Sequence, residues 1–147
     1  MRKLALDLGT KTCGFAISDE LGILATGIEN FEYPNNDFQQ VLNRIEYWQE
    51  YYQHKIDTLI IGLPTNAFDG SSNQRTQLVH DFKKFLEQHW INSLPIVLYD
   101  ERFTTRIATT YLKQDAKLKN SQIKKIKDKI SAVVILNDYL NSLKYSH

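Results

Sequence analysis

The order of apolar and polar positions divides the chain into a strand-rich start and a strand–helix continuation. Residues 4–8 form a short apolar run, residues 9–12 a Gly-Thr-Lys-Thr turn, and residues 13–18 a second run. Asp19, Glu20 and Gly22 mark the next turn, and residues 23–29 read as a third strand. Three short strands joined by tight turns predict an antiparallel meander. The period then changes. Phe38, Val41, Leu42, Ile45, Trp48 and Tyr52 recur at helical spacing, as on the apolar stripe of an amphipathic helix. Residues 57–61 follow as a buried strand that must end by Pro64, because proline cannot donate to a ladder. Leu78, Val79, Phe82, Phe85 and Leu86 predict a second helix, and residues 96–99 a fifth strand that ends in Asp100-Glu101-Arg102. Thr104 or Thr105 can cap a third helix through Leu112, a polar lysine-rich connector covers 113–120, and Asn120 or Ser121 can cap a last helix over 122–143. The order β-β-β-α-β-α-β-α-α implies an α/β fold, a mixed five-stranded sheet with helices on its faces.

Composition narrows the class. The 147 residues suffice for one sizeable core, so 1–147 read as a single domain. With 42% hydrophobic and 24% charged residues, disorder as the ground state is excluded. Cys13 is the single cysteine, which rules out an intrachain disulfide and a cysteine-rich zinc site. Asp7 interrupts the first apolar run too early for a signal peptide, and no apolar stretch is long enough for a membrane span. The expected setting is cytoplasmic. The net charge of +1 hides an asymmetry: residues 1–101 carry 8 basic and 14 acidic side chains, residues 102–147 carry 10 and 3. A segment at net +7 suits a polyanion, each phosphate contact adding salt-dependent affinity, and equally suits a solvated helix face.

Candidate chemistry starts at Asp7, which ends an apolar strand just before a glycine turn. A carboxylate at that depth costs several kcal/mol, in order of magnitude, unless it is paired or binds a metal. The reading without chemistry has it accepting turn N–H groups from Gly9 or Thr10. Gly9 and Gly14 bracket a hairpin whose backbone can come close to a phosphate or metal. The hairpin lacks the Gly-Lys-[Ser/Thr] of a Walker A loop, and it precedes a strand, which removes the dinucleotide-binding reading. Asp100 and Glu101 are adjacent, so on an extended chain they point to opposite sides and at most one joins a shared site. The alternative is a salt bridge or cap with Arg102 and Thr104. Asp7, Gly62 and Glu101 all fall at carboxyl ends of strands, where ligands of open α/β sheets collect.

Asp128 sits at the edge of the apolar half of the last helix, with the small Ala132 one turn on. A surface aspartate balancing Lys124, Lys125 or Lys129 is the competing reading. Three acids from separate elements converging at one sheet edge would repel one another unless a divalent cation neutralised them. Hard oxygen ligands suit Mg²⁺ or Mn²⁺. Two such ions about 4 Å apart activate water and stabilise the leaving oxygen in phosphodiester hydrolysis. The basic segment would then hold a nucleic-acid backbone over the acids, with Lys11, Arg102, Arg106, Lys117, Lys119, Lys124 and Lys125 as contacts. His54, His80, His89 and His147 do not cluster in the sequence, and no H-E-x-x-H pattern occurs.

Four blocks in order make the chain similar to the YqgF/RuvX family, proteins described as Holliday-junction-resolvase-like or as pre-ribosomal-RNA nucleases. The first block runs from Asp7-Leu8-Gly9-Thr10 through Gly14 to Asp19; the second is Gly62-Leu63-Pro64 with Gly70, Phe82 and Leu86. The third is Asp100-Glu101-Arg102-Phe103-Thr104-Thr105 with Ala108, and the fourth Asp128-Lys129-Ile130-Ser131-Ala132 with Ile135, Leu136, Tyr139 and Leu140. The resemblance implies a ribonuclease-H-like fold with strand order 3-2-1-4-5, and metal-binding, catalytic acids at Asp7, Glu101 and Asp128 holding Mg²⁺ or Mn²⁺. It implies nuclease action in maturing the 5′ end of precursor 16S rRNA, with the ribosome as a further partner; cleavage of four-way DNA junctions is the older proposal. The sequence departs from the family pattern at Thr12-Cys13, where a basic-then-apolar pair is usual, and at Ser131, where alanine is usual. In such a sheet Glu101 must reach across two strand spacings of about 4.8 Å to meet Asp7, and Gly62 between them leaves room.

Two other classes compete with the nuclease. A nucleic-acid- or ribosome-binding factor with a vestigial site would bind in a salt-sensitive way without hydrolysis. An actin-like phosphotransferase also opens on Asp-x-Gly-Thr, but such enzymes enclose the nucleotide between two domains and this chain has room for one. Tyr47, Trp48, Tyr51 and Tyr52 crowd more than one face of the first helix, so some are expected to be exposed to a partner.

Overall fold

The computed structural model describes residues 1–64, 74–100 and 120–144, with the backbone alone for 120–128 and 144. Strands β1 (Arg2–Leu8), β2 (Thr12–Ser18) and β3 (Ala25–Glu32) form the meander. Helix α1 (Phe38–Tyr51), strand β4 (Ile56–Leu63), helix α2 (Gln74–His89), strand β5 (Ile96–Asp100) and helix α3 (Asn120–Lys144) follow. The five strands make one sheet in the order β3-β2-β1-β4-β5. β1 pairs antiparallel with β2 and parallel with β4, and β4 pairs parallel with β5, as the β-β-β then strand–helix pattern requires. The expected helix over 104–112 and the connector over 113–119 lie outside the described residues. No described helix is long and apolar enough to cross a membrane.

Strand alternation divides the sheet into two unlike faces. Leu4, Leu6 and Leu8 of β1, Phe15 and Ile17 of β2, and Leu59 and Ile61 of β4 point to one side. There they meet Val41, Leu42 and Ile45 of α1 and Leu78, Val79, Phe82 and Leu86 of α2. The other side carries Ala5, Ala16 and Ile60 and is covered by Ala132, Ile135, Leu136 and Leu140 of α3.

Small residues bring α3 close to the sheet. A Cβ on Gly27 would lie 2.8 Å from Lys129 Cγ and 3.2 Å from Val133 Cγ2, so only glycine lets the helix rest there undisturbed. The pairing register shifts beside it: Ala16 faces Gly27 but Phe15 faces Glu29, leaving Ile28 as the extra residue of a bulge. The direction of α3 follows from its contacts. Leu140 lies beside Gly22, Asn137 Oδ1 accepts the Ala25 N–H at 3.2 Å, and Lys129 and Val133 lie at Gly27. The helix runs antiparallel to β3, and its N-terminal half heads for the Leu8–Cys13 end of the sheet.

Several boundaries differ from the sequence reading, those of β3 most. β3 starts two residues late because Asp19 Oδ1 accepts the N–H groups of Ile23 (2.6 Å) and Leu24 (3.1 Å), which keeps both in the turn. Those bonds, Leu24's first, hold the exposed Asp19 carboxyl below its ordinary value. β3 also runs three residues further, since Phe31 packs edge-on against Phe15 at 6.4 Å and stacks on Tyr33. α2 begins at Gln74, before its first apolar position, and α3 already includes Asn120, the expected cap.

Candidate active site

Asp7 is the second-to-last residue of β1 and is 1% exposed. Alternation sets it in the row of Ala5, on the α3 side of the sheet. Its neighbours in that row carry no side chain. Gly14 is its direct partner on β2, and on β4 Gly62 follows Ile61, the partner of Leu6. The row ends in Asn30 opposite Gly14 and Tyr99 opposite Gly62. Burial, with Asp138 and Asp100 adding to it, holds the Tyr99 phenol above its ordinary value, so it stays neutral near pH 7.

A buried carboxylate needs a counter-charge, and Arg75 supplies one. Its Nη2 donates to Asp7 Oδ1 at 2.7 Å and to the Leu8 carbonyl at 3.3 Å. Arg75 stands in the first turn of α2, and Thr76 Oγ1 ties that turn to the Pro64 carbonyl at 2.6 Å, just past the end of β4. The Gly9 N–H goes to the Thr12 carbonyl at 2.8 Å and not to Asp7, for which the reading without chemistry offered Gly9 or Thr10 as donors. Sequence reading missed Arg75. The available signal was a cation at a helix N-terminus with no acid in the first turn, where the helix dipole disfavours it.

The hairpin after Asp7 is strapped down by the chain that follows β3. The Tyr33 N–H donates to the Lys11 carbonyl at 2.9 Å, the Asn36 N–H to the Thr10 carbonyl at 3.0 Å, and the Tyr33 hydroxyl to the Gly9 carbonyl. Asn36 adopts a φ of 59°, a left-handed conformation that asparagine tolerates. Lys11 is thereby exposed at the tip, at the same end of the sheet as Asp7.

The other expected acids are placed less fully. Asp100 pairs with Leu63 at the end of β5 and is exposed. By alternation it belongs to the row of Ile96 and Leu98, the face opposite Asp7's. Glu101, Arg102, Arg106, Lys117 and Lys119 lie outside the described residues. Lys124, Lys125 and Asp128 are positions of α3 whose side chains are likewise outside them; position 128 is one turn ahead of the buried Ala132. Ser131 is fully buried, and its Oγ has no hydrogen-bond partner among the described residues.

No group of three histidine, cysteine or acidic side chains occurs among the described residues. What is described fits a hard divalent cation as far as it goes: an oxygen donor at a strand's carboxyl end, glycines on both neighbouring strands, and a carboxylate already drawing a positive charge. The aromatic helix lies elsewhere. Tyr47 and Tyr51 are exposed while Trp48 and Tyr52 pack on the core, and Arg2, at the far end of β1 from Asp7, stacks over Tyr52 at 4.9 Å.

Comparison with known proteins agrees with this architecture. A family model described as "RuvX: Holliday junction resolvase" matches residues 1–142. A protein of Ureaplasma parvum described as "Putative pre-16S rRNA nuclease" is 56% identical over 143 residues, covering 96% of this chain and 97% of its own length. One of Mycoplasmopsis pulmonis with the same description is 41% identical over 143 residues, covering 97% and 94%. Among solved structures, Thermus thermophilus RuvC in complex with a Holliday junction substrate superposes with a TM-score of 0.57 at 7% identity, covering 99% of this chain and 97% of that one, a likeness of fold alone. With the family model spanning nearly the whole chain, relatives of 56% and 41% identity, and the strand order that the resemblance implies, the chain belongs to the RuvX family.

Proposed function

We propose that this protein is a metal-dependent endonuclease that hydrolyses phosphodiester bonds in RNA and processes the 5′ end of precursor 16S rRNA. The observation that carries the reading is Asp7: a buried carboxylate at the carboxyl end of the central strand, flanked by glycines, on the face toward which the N-terminal half of α3 runs. The relatives' description as pre-16S rRNA nucleases supports the choice of substrate.

In this reading Asp7, Glu101 and Asp128 would hold Mg²⁺ or Mn²⁺. When bound, such ions supply an activated water and charge stabilisation at the leaving oxygen. The chain's own residues do the rest. β1 fixes the Asp7 carboxylate through pairing on both of its edges, so the ligand does not drift. The strap from Tyr33 to Asn36 holds the hairpin that presents Lys11 beside the site. Lys11, Arg102, Arg106, Lys117, Lys119, Lys124 and Lys125 would track the substrate backbone, each phosphate contact adding affinity that salt weakens. The cytoplasm, where precursor rRNA is made, is the setting this function requires.

The test is cleavage of a labelled precursor-rRNA 5′ fragment and of a four-way DNA junction by purified protein with Mn²⁺ or Mg²⁺, beside Asp7→Asn. The expected result is metal-dependent cleavage of the RNA, falling by about a hundredfold or more in the variant, the scale on which loss of a transition-state charge partner is felt. Preferential cleavage of the junction would favour the resolvase function named in the family's description. Salt-sensitive binding with no cleavage of either would leave a binding factor, and cleavage unaffected by Asp7→Asn would overturn the site.

A further inference from the structure

The Arg75–Asp7 pair breaks two local rules at once. A guanidinium at the N-terminus of α2 opposes the helix dipole, and an acid in the apolar row of β1 opposes burial. Each violation is relieved by the other residue, across 68 positions of sequence. Departures from local rules are expected at functional or strained sites. The pair is also asymmetric: the Asp7 side chain is 2% exposed whereas that of Arg75 is 40% exposed. The carboxylate is fixed in a strand, while the arginine reaches in from solvent on a long side chain. Arg75 has a second acceptor, the Leu8 carbonyl at 3.3 Å, one residue along the same strand.

A divalent cation on Asp7 would set a second positive charge within a few ångströms of the guanidinium, and like charges at that range disfavour each other. We propose that Arg75 is an exchangeable counterion. It neutralises Asp7 while the site holds no metal and yields the carboxylate when the cation arrives, so that metal binding is opposed by the energy of the Arg75–Asp7 bond. This deepens the nuclease reading and rests on it, because it takes Asp7 as a metal ligand. In this role Arg75 is a positioning residue: it keeps the buried carboxylate charged and in place, and it sets the cation concentration at which the site loads. Without Arg75 the metal-free protein would bury the Asp7 carboxylate with its cationic partner removed, and breaking a buried ion pair in this way is strongly destabilising. With a permanent partner the cation would have to bind beside a fixed like charge, at a lower affinity.

The roles separate by direction of change. A purely structural arginine, once removed, loosens the site and weakens metal binding; an exchangeable counterion, once removed, strengthens it. The experiment is Mn²⁺ titration calorimetry on the full chain for the parent, Arg75→Gln, Arg75→Lys and Asp7→Asn, with melting in EDTA and in saturating Mn²⁺. Arg75→Gln is expected to bind Mn²⁺ about tenfold more tightly, to melt lower in EDTA, and to gain more from Mn²⁺ than the parent does. Mn²⁺ affinity that is unchanged or reduced in Arg75→Gln overturns the proposal. Should that variant fail to fold without metal, Arg75→Lys carries the test. A single ammonium holds the carboxylate less firmly than the guanidinium fork, so Mn²⁺ affinity rises by a smaller factor, and a constant or lower affinity again overturns the exchange. Asp7→Asn separates this inference from the reading beneath it. If it abolishes Mn²⁺ binding while the Arg75 variants leave affinity unchanged, the exchange alone fails. If it binds Mn²⁺ as the parent does, the metal role of Asp7 fails with it.

Discussion

The two faces of the sheet are built on opposite plans. One is lined by Leu4, Leu6, Leu8, Phe15, Ile17, Leu59 and Ile61, large side chains that pack against the described helices α1 and α2. The other offers Ala5, Gly14, Ala16, Gly27 and Gly62, and among the described residues one helix, α3, lies close upon it. Burial of a leucine or phenylalanine stabilises by roughly 1.5–3 kcal/mol, so the bulky face supplies most of the folding energy. The small face contributes less per residue and gives up that energy for proximity. It is the face that carries Asp7, so the proposed function divides stability and chemistry between the two sides of one strand.

That division can be broken or sharpened by substitution. Phe15→Ala empties a fully buried ring on the bulky face and should cost about 3–5 kcal/mol in urea unfolding, while the folded fraction keeps its metal-dependent cleavage. Gly27→Ala acts on the small face. Its new Cβ meets Lys129 Cγ and Val133 Cγ2 too closely, and overpacking of this kind costs about 1–2 kcal/mol. Because the displaced helix carries position 128, cleavage should fall by more than the stability loss explains; equal losses would make the small face merely a second core. Ser131→Ala removes a buried hydroxyl that has no partner among the described residues and should raise stability by up to about 1 kcal/mol. A loss instead would reveal that this oxygen serves the loaded site.

The smallest effect compares the two paired acids. Lys3 Nζ donates to Asp57 Oδ1 at 2.7 Å at the opposite end of β1 from Asp7, but both side chains are partly exposed. Burial pushes the Asp57 carboxyl up, and the Lys3 ammonium and the Thr58 hydroxyl more than offset it, leaving it below the ordinary value. A lowered folded value means stability that is present above the unfolded pKa and lost as pH falls through the folded one. Asp57→Asn should therefore cost under about 1 kcal/mol at neutral pH and nothing in strong acid, as thermal melts across pH would register. A penalty as large at low pH as at neutral pH would show that packing, not charge, is what Asp57 contributes.

Much of this architecture is legible in the sequence, for reasons that are local. The meander, the helical stripes and the crossovers are written in apolar spacing, and an acid inside an otherwise apolar strand is enough to single out Asp7. The limits of the third strand are not legible in the same way. They depend on a side-chain bond from Asp19 to two amides and on stacking between Phe31 and Tyr33, neither of which has a periodic signature. The strand order that the resemblance implies already sets Gly62 beside Asp7, but only pairing register reveals that Gly14 flanks the same carboxylate on the other side. Arg75 is illegible because its meaning lies in a partner on another element. No spacing rule links a helix start to a strand end so far upstream.

The 68-residue separation of Asp7 from Arg75 also has a temporal meaning. A ribosome releases the meander and α1 well before β4 and the start of α2. Hairpin pairing between β1 and β2 can begin at once, since its loop is short. The inner edge of β1 must wait for β4, whose parallel pairing closes a far longer loop. Until Arg75 emerges, Asp7 lacks the guanidinium that pairs with it in the folded chain, and burial of that end of the strand is disfavoured. The Asp7 end of the sheet can thus close only once α2 has emerged and Thr76 ties it to Pro64, with β5 and α3 still to be added.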